Sequence, residues 1–469
     1  KKVTPEPEWV RRRPLASFPT IPPDTLQEAT WSMIAKPVEA VMYHGWGTIY
    51  ETGRATGYVF TNPESAERIK HLLKNVVGPL GPTLKRLGRK PPPVAVLESF
   101  TTCVLGGPAS WGWKVPAVTF LQRARLDPRV VFEETILRDG LDDVKVLYAP
   151  QCIFLTPDVI AKIKEFQAKG GVLIGDEQLL KALKADVQVP LVSFSPPPES
   201  DHTAEVDEME AAREGDERTR KGTLRAKAKM LAQVAEVRRL LDSRYTPDAD
   251  SSSPEIVVYN RSWNGVRYLF AINDRRVSGD YVGQWGMVME KGAPNSAEVT
   301  VRRKAGAVYD LVAHRKVPHR TLPNGDTAID VEYTTNDGRV FLVADRPLGK
   351  LKSRLKDGRL TVISPDRDVM IPVGVFAEGM KPYYGVVKDG TFSCAVKGGK
   401  VQVLETKKVM GQTLIMVTHD RYFLDSVTNR IIEIDKGLIY SYQTNYSGYL
   451  ELKTQRQEME LASERKRQS

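Results

Sequence analysis

His44, Trp46 and Glu51 stand close together where a short apolar run, Val38 to Tyr43, gives way to a glycine-containing loop. Their types suit the lining of a sugar subsite, because an aromatic face stacks on the apolar side of a pyranose and a carboxylate binds its hydroxyls. The alternative is that Trp46 packs beneath the strand end and Glu51 is solvated. Trp111 and Trp113, in Ser110-Trp111-Gly112-Trp113, offer a second pair of stacking faces, with a packed contact between domains as their alternative. His419, directly after the apolar run Thr413 to Thr418, is a further candidate. Cys103, Cys152 and Cys394 lie far apart without CxxC spacing, so neither a disulfide framework nor a metal site is expected. Cys152 sits in Pro150-Gln151-Cys152-Ile153 without flanking glycines. The sharp strand-to-helix turn that exposes a nucleophile is therefore expected to be absent, and Cys152 reads as packing.

The elements that would position these residues fall into blocks. A chain of 469 residues exceeds one core and predicts several domains at about 100–200 residues each. Its 68 basic and 58 acidic residues give a net charge of +10, but the basic residues are spread along the chain, which favours a solvated surface over a nucleic-acid groove. No apolar run approaches the roughly 20 residues of a membrane helix. The start at Lys1 has neither methionine nor a signal-peptide core, so the expectation is a soluble chain, cytoplasmic or exported, whose N-terminus lies further upstream.

Residues 1–89 carry a helix, Thr25 to Lys36 after Asp24 as N-cap, then the strand Val38 to Tyr43, a loop and a second helix, Ser65 to Val77. That order is found in a (β/α) barrel, whose active sites lie at the carboxyl ends of the strands, but one such unit cannot close a barrel. Residues 90–195 alternate short apolar strands with helices, as in an open parallel sheet. A charged connector, 196–253, holds Leu231, Val234, Val237 and Leu241 at helical spacing, which predicts an amphipathic helix packed on a neighbouring domain. From 254 to 350 the period becomes two, with Asn264-Gly265, Asn324-Gly325 and Asp337-Gly338 favouring tight hairpins between strands of a β-sandwich. A second β-rich region, with Asp357-Gly358 and Asp389-Gly390, covers 351–406.

The strand, helix, Gly170-Gly171 and strand of the second block resemble the glutamine-amidotransferase-like domain that follows the barrel in β-galactosidases of glycoside hydrolase family 42. The stretch Tyr268 to Asp274, YLFAIND, and the later Tyr309-Asp310-Leu311 resemble the sandwich that ends many bacterial glycosidases. The resemblance implies a carbohydrate partner, a sandwich that buttresses the barrel or forms a homo-oligomer, and no cofactor. Glycosidases need two carboxylates about 5–5.5 Å or about 6.5–9.5 Å apart. By the resemblance both fall before or close to Lys1, since Leu15 to Ile21 holds no acidic residue. The catalytic residues are thus not identified, and this chain alone is expected to be inactive.

Residues 407–469 have a different character. Thr413 to Gly437, TLIMVTHDRYFLDSVTNRIIEIDKG, with Tyr446-Ser447-Gly448-Tyr449, resembles the end of an ATP-binding cassette of the ABC-F class. In such cassettes a histidine at this strand end, here His419, is the switch that contacts the γ-phosphate. By the resemblance, the helix from Tyr449 to Lys466 would begin the linker that reaches towards transfer RNA, with the ribosome or RNA as its partner. ATP and Mg²⁺ would be bound only by a complete cassette, and no G-x-x-x-x-G-K-[ST] loop occurs: Gly398-Gly399-Lys400 is followed by Val401. A strand and hairpin separated from their sheet expose apolar faces that must find another partner.

The expected architecture is therefore multidomain α/β plus all-β: the last unit of a barrel, an open parallel-sheet domain, one or two sandwiches and a short cassette fragment. Three functions compete: a glycosidase-like carbohydrate-binding protein, which leads by coverage; an ABC-F fragment acting on the ribosome; and a structural or oligomerising module without ligand. An upstream Asn-Glu strand end would favour the first, and an upstream phosphate loop the second.

Overall fold

The computed structural model describes residues 22–46, 63–88, 90–106, 114–190, 217–282, 288–377, 381–396, 401–405, 413–418, 431–435 and 438–456. It has a mixed architecture, with one five-stranded parallel sheet and several antiparallel ones.

The first helix, α1 (Pro23–Ile34), starts earlier than the sequence implies. Pro22 occupies the cap and Pro23 the first turn, where a missing N–H costs nothing. Asp24 is not the cap; its Oδ2 accepts the Gly292 N–H at 3.0 Å. Strand β1 (Ala40–Trp46) follows. The second helical stretch is not one helix to Val77: α2 (Pro63–Leu72) passes into a π-helical segment, Leu73–Val77, and then α3 (Gly78–Leu84).

The parallel sheet contains β2 (Val94–Glu98), β3 (Pro128–Phe132), β4 (Val146–Ala149), β5 (Val172–Gly175) and β6 (Val187–Gln188), in the order β3-β2-β4-β5-β6. Its helices are α4 (Phe100–Leu105), α5 (Lys114–Arg123), α6 (Glu133–Asp139) and α7 (Pro157–Ala168). They form separate apolar layers on the two faces, Phe120 and Leu121 on one side, Ile136, Val159 and Ile163 on the other. The central strands are consequently continuous apolar runs, as in sheets covered on both faces. Helix α8 (Glu217–Leu241) adds Val234, Val237 and Leu241 to the first layer. Its Arg238 reaches the Ala124 carbonyl (2.9 Å) and the Asp250 carboxylate (2.7 Å), tying helix, parallel sheet and the next unit together.

That unit begins with β7 (Ala249–Ser251), β8 (Ile256–Trp263), β9 (Val266–Asn273), β10 (Arg276–Val282), β11 (Val288–Gly292) and β12 (Asn295–Val301). It continues with β13 (Ala307–Asp310), β14 (Arg315–Val317), β15 (Arg320–Thr321), β16 (Thr327–Tyr333) and β17 (Gly338–Ala344). One sheet runs β14-β13-β17-β9-β8 and another β15-β16-β12-β7, with Val258, Leu269, Val299, Val331 and Val343 packed between them. The opposite face of the first sheet is buried as well: Val257, Tyr259, Tyr268, Phe270 and Leu342 join Trp31, Ile34, Leu80 and Leu84 of the N-terminal helices.

Asn264 and Gly265 both take left-handed backbone angles (φ 46° and 81°), making the tight β8–β9 turn. Asp337-Gly338 does not: neither residue has positive φ, and Gly338 is required because a Cβ there would lie 2.3 Å from the Trp31 ring.

Beyond it, β18 (Lys352–Lys356), β19 (Arg359–Ile363), β20 (Ile371–Ala377), β21 (Tyr383–Val387), β22 (Thr391–Ala395) and β23 (Val401–Glu405) form two three-stranded sheets, β18-β19-β22 and β21-β20-β23. Leu360, Val362, Met370 and Val373 extend the core shared with the N-terminal helices. Two further strand pieces precede the helical residues 446–456. Strand β24 (Thr413–Thr418) pairs with β1, which supplies the partner its apolar run requires, and β25 (Ile431–Asp435) with β26 (Leu438–Tyr442) make a hairpin.

Candidate functional site

Strands β1 and β24 run parallel in the register Ala40↔Thr413 through Tyr43↔Met416, then shift so that Trp46 faces Thr418. Both strands therefore end at the same place, which brings the backbone of His44 and Trp46 beside the residue that precedes His419. The base of β1 is anchored by Tyr43, which is buried and shares a 2.6 Å hydrogen bond with the Thr30 hydroxyl. Burial pushes the Tyr43 phenol above its ordinary range. Glu51, Trp111, Trp113 and His419 lie outside the described residues.

The parallel sheet builds a second concentration of polar groups. In local order its strands run 2-1-3-4-5, and ligands of such sheets bind where the order reverses, at the carboxyl ends of the first and third strands, here β2 and β4. Ser99 follows β2 and caps α4, accepting the Thr102 N–H at 2.9 Å. Its hydroxyl donates to Glu133 Oε1 at 2.5 Å, and the Thr101 hydroxyl donates to Oε2 at 2.7 Å. Glu133, only 5 % exposed, opens α6, so its carboxylate stitches two strand ends together. Across the cluster, the Thr102 hydroxyl donates to the Phe154 carbonyl at 2.6 Å.

The turn after β4 is sharp although it holds no glycine. Gln151 takes φ 47°, and its N–H donates to Asp176 Oδ2 at 2.7 Å. This is a local backbone turn and not a strand-to-helix elbow, because α7 begins only at Pro157. Cys152 is fully buried, as expected of a packing residue, and burial, then the nearby Asp176 carboxylate, push its thiol well up. A neutral thiol closed to solvent packs; it does not attack. Tyr148 is also buried, and its hydroxyl has no hydrogen-bond partner among the described residues. Sequence reasoning missed Ser99, Thr101, Glu133 and Asp176. The available signal was the Ser99-x-x-Thr102 cap spacing, but a hydroxyl cap alone does not disclose a buried carboxylate.

Asp176 has a measurable consequence. Burial raises its pKa above 3.8, against the opposing bonds from the Gln151 and Gln178 amides. A carboxyl whose folded pKa is raised contributes stability that is fully present below the unfolded value, about 3.8, and is lost as pH rises through the folded value. Carbon-13 titration should give Asp176 a midpoint above 3.8, and Asp176→Asn should remove that fall in stability between the two midpoints. A midpoint at or below 3.8 would contradict this.

Asn273 and Asp274 close the YLFAIND run in structural roles. Asn273 is fully buried and donates to the Ala293 and Thr335 carbonyls at 2.9 and 2.8 Å. Asp274 pairs with Arg123 of the parallel-sheet unit at 2.6 Å and with Arg276 at 2.7 Å.

No family model matches the chain. Over 56 residues it is 46 % identical to the uncharacterized ABC transporter ATP-binding protein YfmR of Bacillus subtilis, covering 12 % of this chain and 9 % of that protein. It is 47 % identical over 55 residues to the ATP-binding protein ChvD of Rhizobium radiobacter, covering 12 % and 19 %. Over 43 residues it is 56 % identical to the energy-dependent translational throttle protein EttA of Mycobacterium tuberculosis, covering 9 % and 8 %. The chain thus spans only a small part of these curated relatives. Among solved structures it is similar to α-L-fucosidase isoenzyme 2 from Paenibacillus thiaminolyticus, with TM-score 0.42 and 13 % identity, covering 69 % of this chain and 57 % of that one. A second is Gan42B, a GH42 β-galactosidase from G. stearothermophilus, with TM-score 0.39 and 14 % identity, covering 69 % and 51 %. A short segment of the chain is similar to ABC-F ATP-binding proteins, and the solved structures that it resembles include glycosidases.

Proposed function

We propose that this chain is a glycosidase-like protein that binds carbohydrate, resembling the part of a family 42 β-galactosidase beyond its catalytic carboxylates, and that it holds sugar without hydrolysing it. In this reading residues 1–89 are the end of a (β/α) barrel, 90–195 the amidotransferase-like domain, 196–253 a connector, 254–350 a β-sandwich and 351–406 its extension. The supporting observation is the helix–strand–helix unit of α1, β1 and α2 joined through one apolar core to the adjacent sheets. In a barrel, a strand end of this kind is where substrate is met, and His44 and Trp46 stand at it. The polar cluster of the parallel sheet is bonded internally, with its thiol buried, which favours a structural role there. No cofactor is required. A homo-oligomer through the sandwich, as in the resembled family, belongs to the same reading.

Retention on immobilised β-galactosides tests it. The full chain should be retained, and Trp46→Ala should weaken retention about tenfold, equivalent to about 1.4 kcal/mol. Failure of the chain to bind any neutral sugar would remove the proposal.

The identity of 46–56 % over short stretches to ATP-binding proteins favours a second reading, in which residues 407–469 are the end of an ABC-F cassette. Residues 446–456 are helical, and Lys453 and Arg456 lie over the rings of Tyr449 and Tyr440 at 5.6 and 3.6 Å. Under this reading the segment from Tyr449 to Lys466 meets the ribosome or RNA. ATP and Mg²⁺ binding would require the remainder of a cassette, with His419 as switch. Co-sedimentation with ribosomes separates the two readings. Among the described residues no helix is long and apolar enough to cross a membrane.

A further inference from the structure

A cleft of about 370 Å³ lies where the N-terminal helices meet the double-layered β unit, within the range of about 300–1,000 Å³ found for small-molecule sites. We infer that this cleft, lined by His71, Asn75, His314 and Asp337, binds a neutral polyhydroxylated ring such as the end of a sugar chain. The inference rests on the carbohydrate reading above and gives it a site apart from the end of β1.

Two backbone irregularities converge on the cleft. One wall is the junction of α2 with the π-helical segment Leu73–Val77, and single π turns of this kind are frequent at functional sites. The other wall carries His314, which closes the turn between β13 and β14 in the left-handed region at φ 55°, a conformation uncommon in residues with a side chain. The π-helical segment also packs inward: Val76 and Val77 join Ile69 and Val340 in the core, while Asn75 is turned to the cleft.

The lining selects the ligand class. Asn75 Nδ2 lies 2.8 Å from His71 Nδ1. With the amide donating, the ring proton sits on Nε2, so His71 presents a donor while Asn75 Oδ1 remains an acceptor. Asp337 already accepts from Trp31 Nε1 (3.0 Å), the Gly338 N–H (2.9 Å) and Arg339 (3.0 Å), so its charge is compensated. A bound cation would find no free carboxylate charge, and an anion would find no lysine or arginine in the lining. No group of three metal-ligating side chains occurs among the described residues. Uncompensated charge is absent from the lining, donors and acceptors are both present, and Leu72, Val76 and Val312 supply apolar wall. That combination suits ring hydroxyls beside C–H faces.

Calorimetric titration of the full chain with galactose and lactose tests this, together with the His71 imidazole signals in NMR. His71 is exposed and Asn75 half-buried, so His71→Ala and Asn75→Ala should keep the fold. Each should lower sugar affinity tenfold or more, and the His71 ring signals of the unaltered chain should shift as sugar is added. Unchanged affinity in both variants with unmoved His71 signals, while Trp46→Ala still weakens binding, would overturn the cleft and leave the carbohydrate reading standing. No binding by the unaltered chain would overturn both.

Discussion

Arg261→Ala is expected to destabilise the protein by roughly 3–5 kcal/mol, because it leaves several buried backbone carbonyls without a donor at about 1–3 kcal/mol each. Arg261 is 2 % exposed on β8, yet its guanidinium serves the N-terminal segment. Nη1 donates to the Ile34 and Lys36 carbonyls at 3.5 and 3.3 Å, and Nη2 to those of Leu84 and Leu87, both at 2.6 Å. Those carbonyls belong to the ends of α1 and α3, where helices leave acceptors unsatisfied. One planar cation with five donors meets several of them at once, which lysine cannot do, so Arg261→Lys should recover only part of the loss. Urea denaturation followed by tryptophan fluorescence measures both. A loss below about 1 kcal/mol for Arg261→Ala would mean that the N-terminal helices are not fastened to the sheet in this way.

Trp31→Ala should cost about 3–5 kcal/mol, as for a large aromatic removed from a core that cannot collapse around the void. Trp31 has no exposed surface, and its ring lies over Gly338 so closely that a Cβ at that position would overlap it. Its indole N–H donates to Asp337 at 3.0 Å, so alanine also deprives that carboxylate of a donor. Gly338→Ala approaches the same contact from the other side and should be destabilising although its backbone angles suit alanine. Thermal unfolding of the two single variants and the double variant separates contact from backbone effects. If Gly338→Ala were as stable as the parent, the ring would have to sit elsewhere.

Much of this architecture could be read from residue patterns. The apolar runs at Val94, Val144 and Val172, separated by helices and by Gly170-Gly171, announce a parallel sheet because strands buried on both faces need no alternation. Asn264-Gly265 announces its hairpin because both residues tolerate positive φ. Asp337-Gly338 carries the same letters for a different reason, since its glycine makes room for a tryptophan some 300 positions away. The π-helical segment after Leu72 is equally invisible: one extra residue per turn leaves the apolar spacing of the stretch looking helical. The pairing of β1 with β24 joins opposite ends of the chain, and no local pattern specifies such a partner. The strand-end position of His44 and Trp46 was legible because an apolar run ends there. The cleft at His71 and His314 was not, because its walls come from elements separated by most of the sheet unit.

Equilibrium dialysis of the full chain against a β-galactoside oligosaccharide, followed by chromatography of the sugar, tests the central claim most directly. An excess of sugar on the protein side, recovered intact, is expected. Release of free galactose would contradict the claim that the chain holds sugar without cleaving it, and an even distribution of sugar would contradict carbohydrate binding itself.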